Sequence, residues 1–292
     1  MLRADFSSPS TTSAFTAASG NSDGFSDEKK HTQATNIKFG DRFRTICPVF
    51  SKPLLDQVNL EINNDDRYFC SELVNNFLDG HRGVRYINSS NIFESLDFTI
   101  NSENPLFTAR LCFEMPIQFD ENSHLMNKEV FQASLTTSSV AIRALCSEAL
   151  DKMADEFQWR DRSVNVVGIY LIRYPLIPSR GIKGMHWHKD PGKKSMVVQL
   201  NDNTNATKTG VKYSGGGLNI GKKSPGSKVT FPVKGTVENY PYGPNDEEIG
   251  NAGYMFSNDQ GDLIHQPEDI VYHSENSDDL AEKRIIVVLV DD

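Results

Sequence analysis

The chain has 292 residues, a formal net charge of −9 and 38% hydrophobic residues, which is the composition of a globular protein with enough length for a sizeable core. The negative charge argues against a general binder of nucleic acid or anionic membranes, and no apolar run reaches the roughly 18 residues of a membrane span. The 4 cysteines are far apart and form no C-x-x-C pair, which excludes a disulfide-rich scaffold and a cysteine-rich zinc site. Because MLRADFSSPS also lacks an apolar signal core, we expect a cytoplasmic protein.

Residues 1–35 differ in composition from the rest of the chain. Ten of the first 27 residues are Ser or Thr, and few large apolar side chains accompany them. Such a segment cannot bury enough surface to offset the entropy lost on ordering. It therefore predicts a disordered leader.

Residues 36–160 predict a mixed, helical support region. Phe69, Leu73 and Phe77 recur every four residues and predict a helix over 67–80, while 106–119 is strand-like. The clearest helix is predicted over 138–158, with Ser138 or Ser139 as its N-cap. Its apolar stripe consists of Ile142, Leu145, Ala149, Met153 and Phe157.

Residues 161–292 predict the β-core of the protein. Gly, Pro, Asn and Asp separate short β-rich runs at 165–174, 195–200, 216–220, 228–233, 261–266, 269–273 and 284–290. This pattern is typical of an all-β sandwich or barrel, so the fold class is β-rich α+β with N-terminal helices bracing the core. The long connection 234–258 predicts a hairpin or a lid.

Charge is unevenly distributed along this core. Residues 180–234 hold eleven basic and two acidic residues, whereas 235–292 hold two basic and fourteen acidic residues. The two stretches either cancel each other or leave an electropositive mouth that attracts an anionic substrate or cosubstrate.

The stretch GMHWHKDPG, residues 184–192, contains the residues best suited to bind a metal ion. In an extended strand His186, His188 and Asp190 share one face. An imidazole and a carboxylate two residues apart can occupy adjacent positions on a metal, and a second imidazole from another strand would complete the 2-His-1-carboxylate set of non-haem Fe(II) oxygenases. Composition alone predicts about one such pair by chance, and His273 with Glu275 forms a second, so the surrounding sequence must supply the specificity.

Residues 165–292 resemble the core of the Fe(II)/2-oxoglutarate-dependent oxygenases. The matching features occur in the same order: a strand ending near Tyr174, HKD (188–190), GGGLNI (215–220), GDLIHQPEDIVYH (261–273) and KRIIVVLV (283–290). The resemblance implies a double-stranded β-helix, a variant of the jelly roll. It covers about 130 residues and does not extend to the first 160.

The resemblance also implies roles for individual residues. His188, Asp190 and His273 would bind Fe(II), and Tyr174 would contact 2-oxoglutarate, with Tyr170 as the alternative on the same strand face. Arg284 would bind the distal carboxylate of 2-oxoglutarate, because a guanidinium can hold a carboxylate with two hydrogen bonds. Its neighbour Lys283 points to the opposite face, so only one of the two can do this.

Two further histidines, His186 and His265, are expected at the surface or in the core, with support of the metal ligands or substrate contact as the alternative.

The implied reaction consumes O2 and 2-oxoglutarate, releases succinate and CO2, and hydroxylates a C–H bond. A small polar, amino-acid-like molecule or a peptide side chain is the expected substrate. Three alternatives remain open: a cupin-type metal-dependent hydrolase or isomerase using His186, His188 and His273; a nucleic-acid demethylase; and a non-catalytic β-domain. The sequence does not indicate an oligomeric state.

Overall fold

The computed structural model describes residues 35–36, 43–46, 49–63, 96–101, 104–176, 187–201, 213–215, 217–224, 231–240, 253–257, 263–267, 270–272 and 281–292. All the described residues belong to one unit, residues 32–292. Residues 1–34 of the predicted leader and the predicted helix over 67–80 lie outside the described ranges. The three predicted regions, 1–35, 36–160 and 161–292, therefore stay a prediction.

Three helices occur in the described residues: α1 (Lys52–Asn63), α2 (Lys128–Ser134) and α3 (Val140–Phe157). Helix α3 confirms the predicted helix over 138–158. Ser139 is its N-cap, since the Ser139 hydroxyl accepts a hydrogen bond from the Ile142 N–H at 3.0 Å. The helix ends at Gln158, which has a left-handed backbone with φ 55°. Among these helices, none is long and apolar enough to cross a membrane.

Most of the remaining described residues belong to strands. In chain order they are β1 (Thr35–Asn36), β2 (Phe43–Ile46), β3 (Leu96–Asn101), β4 (Asn104–Cys112), β5 (Met115–Gln118), β6 (Ser163–Leu176), β7 (Lys194–Gln199), β8 (Tyr213–Gly215), β9 (Leu218–Lys222), β10 (Glu238–Tyr240), β11 (Gly253–Ser257), β12 (Leu263–Pro267), β13 (Ile270–Tyr272) and β14 (Ala281–Asp291).

The strands form antiparallel sheets, which confirms the β-rich class. The larger sheet has nine strands in the order β1-β2-β11-β7-β14-β6-β4-β3, with β5 also paired to β6. A smaller sheet has the order β10-β9-β12, and β13 pairs with β8. The predicted strand over 106–119 is divided into β4 and β5. Of the run 228–233, only 231–233 are described, and Pro232 makes an isolated bridge to Lys223.

The connection 234–258 was expected to hold a hairpin or a lid. Its described parts are β10 and β11, which belong to different sheets and therefore do not pair with each other as a hairpin.

The larger sheet is buried on both faces, and β14 shows this most clearly. Ile286, Val288 and Val290 pack into a core shared with all three helices. The alternate residues Ile285, Val287 and Leu289 line a cavity on the other face. A strand covered on both sides carries apolar residues at every position, which explains the continuous run IIVVLV.

Candidate metal centre

His188 and His265 are brought together by backbone pairing. His265 is the central residue of β12, an edge strand of the smaller sheet, and His188 forms an isolated antiparallel bridge with it. Each residue donates its N–H to the carbonyl of the other, and both bonds measure 2.9 Å. Directly paired residues of antiparallel strands project side chains on the same face. The two imidazole ring centroids consequently lie 4.2 Å apart.

Asp190 completes a group of three ligands. One carboxylate oxygen, Oδ1, lies 3.6 Å from His188 Nε2, and the other, Oδ2, lies 3.6 Å from His265 Nε2. The three ligand atoms all lie within 4.8 Å of one another. Two atoms that each bind the same ion at about 2.1 Å can be at most roughly 4.2 Å apart. The two distances of 3.6 Å, from Asp190 to His188 and from Asp190 to His265, are therefore short enough for one ion to be shared. Two imidazoles and one carboxylate leave further positions open, as in non-haem Fe(II) sites.

The three side chains differ in exposure. The exposed fraction of the side chain is 5% for His265, 9% for Asp190 and 27% for His188. Burial lowers the pKa of His265 to about 4; the Asp190 carboxylate opposes this effect and His188 adds to it. His265 is therefore a neutral imidazole near pH 7, which is the form that binds a metal ion.

The ligand group opens into a cavity of about 290 Å³ between the two sheets. Most of the wall is apolar, and the polar side chains are those of the ligand group, one threonine and two tyrosines, which is the usual character of a small-molecule site. The larger sheet contributes Thr108, Tyr170, Ile172, Tyr174, Val197, Ile285, Val287 and Leu289, and the opposite wall consists of His188, Asp190, Pro191, Leu218 and His265.

Tyr174 lies on β6 and lines this cavity, as Tyr170 does. Its side chain is almost fully buried, and its hydroxyl has no hydrogen-bond partner among the residues that the structure describes. Burial raises the pKa of Tyr174, and the nearby Asp190 carboxylate raises it further. The phenol therefore stays protonated and can donate a hydrogen bond to a ligand.

The prediction that Arg284 faces the cosubstrate needs correction. Arg284 lies on the same face of β14 as Ile286, toward helix α1. Its Nη1 donates to the side-chain oxygen of Asn59 on α1 at 2.7 Å and to the Asn59 carbonyl at 3.3 Å. The strand alternation that orients Ile285 and Val287 toward the cavity orients Arg284 away from it.

Lys283 is the basic residue on the cavity face of β14. It is fully buried and pairs across the strands with Tyr174. Its Nζ lies 5.7 Å from the centroid of the Tyr174 ring. Arg284 was preferred from the sequence because a guanidinium can form two hydrogen bonds with a carboxylate. Which of the two cations lies on the cavity side, however, depends on which face of β14 is turned toward the cavity.

The second imidazole of the cluster belongs to His265, which was expected to be a surface, core or supporting residue. His273, the histidine implied by the resemblance, lies outside the described residues, and so does His186. No signal in the sequence distinguishes His265 from a core histidine, because only the backbone pairing with His188 brings it to the ligand group.

Comparisons with solved structures find chains similar to this one. They include IDO from Bacillus thuringiensis, with 13% identity over 85% of this chain and 89% of that chain and a TM-score of 0.43. A prolyl-4-hydroxylase from Pseudomonas putida has 10% identity, 85% and 91% coverage and a TM-score of 0.37. An oxidoreductase of the 2OG-Fe(II) oxygenase family from Burkholderia pseudomallei has 13% identity, 67% and 72% coverage and a TM-score of 0.35.

No protein-family profile and no curated protein matches the chain.

Proposed function

We propose that this chain is an Fe(II)- and 2-oxoglutarate-dependent oxygenase that hydroxylates a C–H bond. The observation that carries the proposal is the group of His188, Asp190 and His265, whose ligand atoms lie within 4.8 Å of one another at the wall of a cavity. A 2-His-1-carboxylate set with open positions is characteristic of non-haem iron oxygenases.

The strand order supports a double-stranded β-helix for the core. Four adjacent strands of the larger sheet have the order β6-β14-β7-β11, and opposite them the His188 bridge, β12, β9 and β10 form the smaller sheet. From β6 to β14 the chain crosses repeatedly between the two sheets, with β8 and β13 forming a separate pair, and such crossing is expected when a long antiparallel ribbon is wound into a jelly roll. The ligand group then lies at one end of the space between the sheets.

Lys283 and Tyr174 support a binding site for 2-oxoglutarate inside the cavity. A buried ammonium and a protonated phenol adjacent to each other can hold one carboxylate by a charge pair and a hydrogen bond. In this proposal Lys283, and not Arg284, binds the distal carboxylate of 2-oxoglutarate, and Tyr174 contacts 2-oxoglutarate as the resemblance implied. When bound, Fe(II) supplies the activation of O2 that oxidises both substrates.

The overall reaction balances as RH + 2-oxoglutarate + O2 → ROH + succinate + CO2. In it, the cosubstrate loses its first carboxyl group as CO2 and receives one oxygen atom of O2, and the substrate C–H bond receives the other. The chain's own contribution is to hold the ion with three side chains, to orient 2-oxoglutarate from Lys283 and Tyr174, and to exclude bulk water with the apolar walls.

The proposal is tested by adding Fe(II) and 2-oxoglutarate without O2 and recording the visible metal-to-ligand charge-transfer band of the chelate. We expect a band that needs both additions and that is lost in His188→Ala, Asp190→Ala and His265→Ala. His273→Ala is the decisive comparison, because the resemblance implied His273 as the third ligand. His124→Ala, at an exposed histidine near Asp120, is the matched control.

Each outcome has a distinct meaning. A band that survives in His265→Ala and disappears in His273→Ala would return the third ligand to His273. Bound metal without a band would favour a cupin-type hydrolase or isomerase, and in that case His186→Ala should release the metal while Asp190→Ala retains it. If the wild-type chain binds no metal, the oxygenase proposal is wrong.

The substrate that we propose is a small molecule or a peptide side chain, because a cavity of about 290 Å³ has room only for a group of that size. Nucleic-acid demethylation is the second candidate, favoured only by the eleven basic residues of 180–234. A salt-dependent affinity for DNA or RNA would support it. A cytoplasmic location also remains our proposal, based on the scarcity and spacing of the cysteines, and cell fractionation would test it.

A further inference from the structure

Arg110 is a cation held in a fixed orientation beside the cavity. It has no role in binding the metal ion or 2-oxoglutarate in the proposed function. It lies on β4, next to a register shift between Arg110 and Cys112 in the pairing with β6. Its Nε donates to the Cys112 carbonyl at 3.3 Å, and its Nη2 donates to the Val167 carbonyl at 3.2 Å. Its Cζ lies 4.5 Å from the centroid of the Phe113 ring and 5.6 Å from that of Tyr170. Two carbonyls and two rings thus hold the guanidinium in one orientation.

The guanidinium retains hydrogen-bonding capacity. A guanidinium has five N–H donors, and the two hydrogen bonds above use two of them. Within the described parts of the chain, Arg110 has no carboxylate partner. A planar, partly buried and pre-oriented guanidinium of this kind matches the two oxygens of a carboxylate.

Tyr170 connects Arg110 to the cavity. The Tyr170 ring lines the cavity and leans over Gly168, where an added Cβ would lie only 2.7 Å from Tyr170 Cε2. Because glycine has no Cβ, the ring can lie close to the strand with the guanidinium beside it. A ligand in the cavity that lies along the face of the Tyr170 ring would therefore reach Arg110.

Arg110 and Lys283 lie toward opposite ends of the cavity. Along β14, Lys283 pairs with Tyr174, Val287 pairs with Tyr170, and Leu289 pairs with Gly168. The segment that follows Asp190 reaches the same end as Gly168, since the Lys193 N–H donates to the Val290 carbonyl at 3.0 Å. The metal ligands therefore lie between the two cations, because Asp190 is near Tyr174 and the segment after it reaches the level of Gly168. A 2-oxoglutarate molecule anchored at Lys283 would extend toward them from one side, and a substrate held at Arg110 from the other.

We propose that Arg110 binds a carboxylate of the primary substrate, so that the substrate is a small carboxylic acid with an aliphatic chain. This inference rests on the proposed oxygenase function. The Tyr170 ring forms the surface over which the substrate passes, and Val287 and Leu289 contact its chain. The C–H bond that is oxidised belongs to that chain and not to the acid end.

The test compares carboxylates with their amides on the wild-type chain. With Fe(II) and saturating 2-oxoglutarate present and O2 absent, hexanoate and L-leucine are titrated against hexanamide and L-leucinamide, and the charge-transfer band is followed. We expect the acids to shift the band and the amides to need at least about tenfold higher concentrations, because they lack the charge. An acid that competed for the Lys283 end would instead reduce the band by displacing 2-oxoglutarate.

In Arg110→Gln, acids and amides should need similar concentrations to shift the charge-transfer band, while the band itself remains. Arg160→Gln, at an exposed arginine that does not line the cavity, is the matched control and should preserve the difference. If wild-type chain binds acids and amides equally, or binds none of the four probes while showing the band, the Arg110 inference is wrong and the oxygenase proposal stands. If wild-type chain shows no band, the oxygenase proposal fails and this inference fails with it.

Discussion

Lys283 and Arg284 are adjacent residues whose side chains lie in different surroundings. Lys283 lies beside Tyr174 on the face of β14 that lines the cavity farther along the strand, whereas Arg284 is bound by Asn59 of α1 on the other side of the sheet. Removing the charge of Lys283 should therefore weaken ligand binding, and removing the charge of Arg284 should lower the free energy of unfolding.

We predict that Lys283→Met raises the concentration of 2-oxoglutarate needed for half-maximal turnover by about 30-fold or more, since losing one partner of a buried charge pair costs about 2 kcal/mol or more. Arg284→Met should leave that concentration nearly unchanged and should lower the free energy of unfolding by about 1–3 kcal/mol, because the hydrogen-bonding groups of Asn59 lose a buried partner. Kinetic titration and urea unfolding of both variants measure these effects. If instead Arg284→Met raised the required concentration of 2-oxoglutarate and Lys283→Met did not, Arg284 would be the residue that binds the cosubstrate.

At the scale of single elements, helix α3 depends on its first residue. Ser139 caps the helix through the Ile142 N–H, and its hydroxyl also contacts the Glu61 carboxylate of α1. Ser139→Ala should lower the free energy of unfolding by about 1–2 kcal/mol. Ser138→Ala is the matched control, since Ser138 is exposed and precedes the cap. Equal effects of the two substitutions in urea unfolding would contradict the assignment of the cap to Ser139.

Strand β9 depends on a glycine that touches a neighbouring segment. A Cβ at Gly221 would lie 2.7 Å from the Cβ of Pro232 and 3.5 Å from the Trp187 ring, next to the ligand His188. Gly221→Ala should therefore cost about 1–3 kcal/mol of stability through overpacking. Adding Pro232→Gly removes the opposing Cβ, so a double-mutant cycle should show favourable coupling between the two changes. Strictly additive effects would mean that this contact is not the cause.

At the scale of the whole molecule, the ligand group joins parts of the chain that are distant in sequence. His188 and His265 are held by the smaller sheet, and Lys283 and Tyr174 by the larger one, so ligands bound between them should stabilise the packing of both sheets. Any ligand that binds only the folded chain raises the free energy of unfolding, by about 2.7 kcal/mol at a concentration 100 times its Kd.

We therefore predict that Fe(II) and 2-oxoglutarate together raise the midpoint of anaerobic thermal unfolding by several degrees, on the order of 2–4 °C per kcal/mol for a domain of this size class. His188→Ala should remove the increase, while removal of the metal with a chelator should leave the apo chain folded, since the apolar core lies on the other face of the larger sheet. An apo chain that is unfolded at room temperature would show that the metal is part of the fold.

Short-range patterns in the sequence were sufficient to predict several elements. The four-residue spacing of apolar side chains predicted α3 and its cap, and the short β-rich runs predicted β6, β7, β9, β12 and β14. The alternation of residues along a strand also determined that Lys283 and Arg284 must face opposite ways. Helix α1 and strand β11 went unpredicted, because their local patterns are weak and they are stabilised by partners far away in the chain.

The sequence by itself determined the β-rich class, the HKD ligand pair and the presence of one cation that could reach the cosubstrate. Only the tertiary structure decided that His265 joins His188 and Asp190, and that Lys283, not Arg284, faces the cavity. The physical reason is that periodicity defines which residues share a face of a strand, but not which face is covered by helices and which lines the cavity. That depends on the pairing of strands that lie about eighty residues or more apart, such as His188 with His265 and β6 with β14.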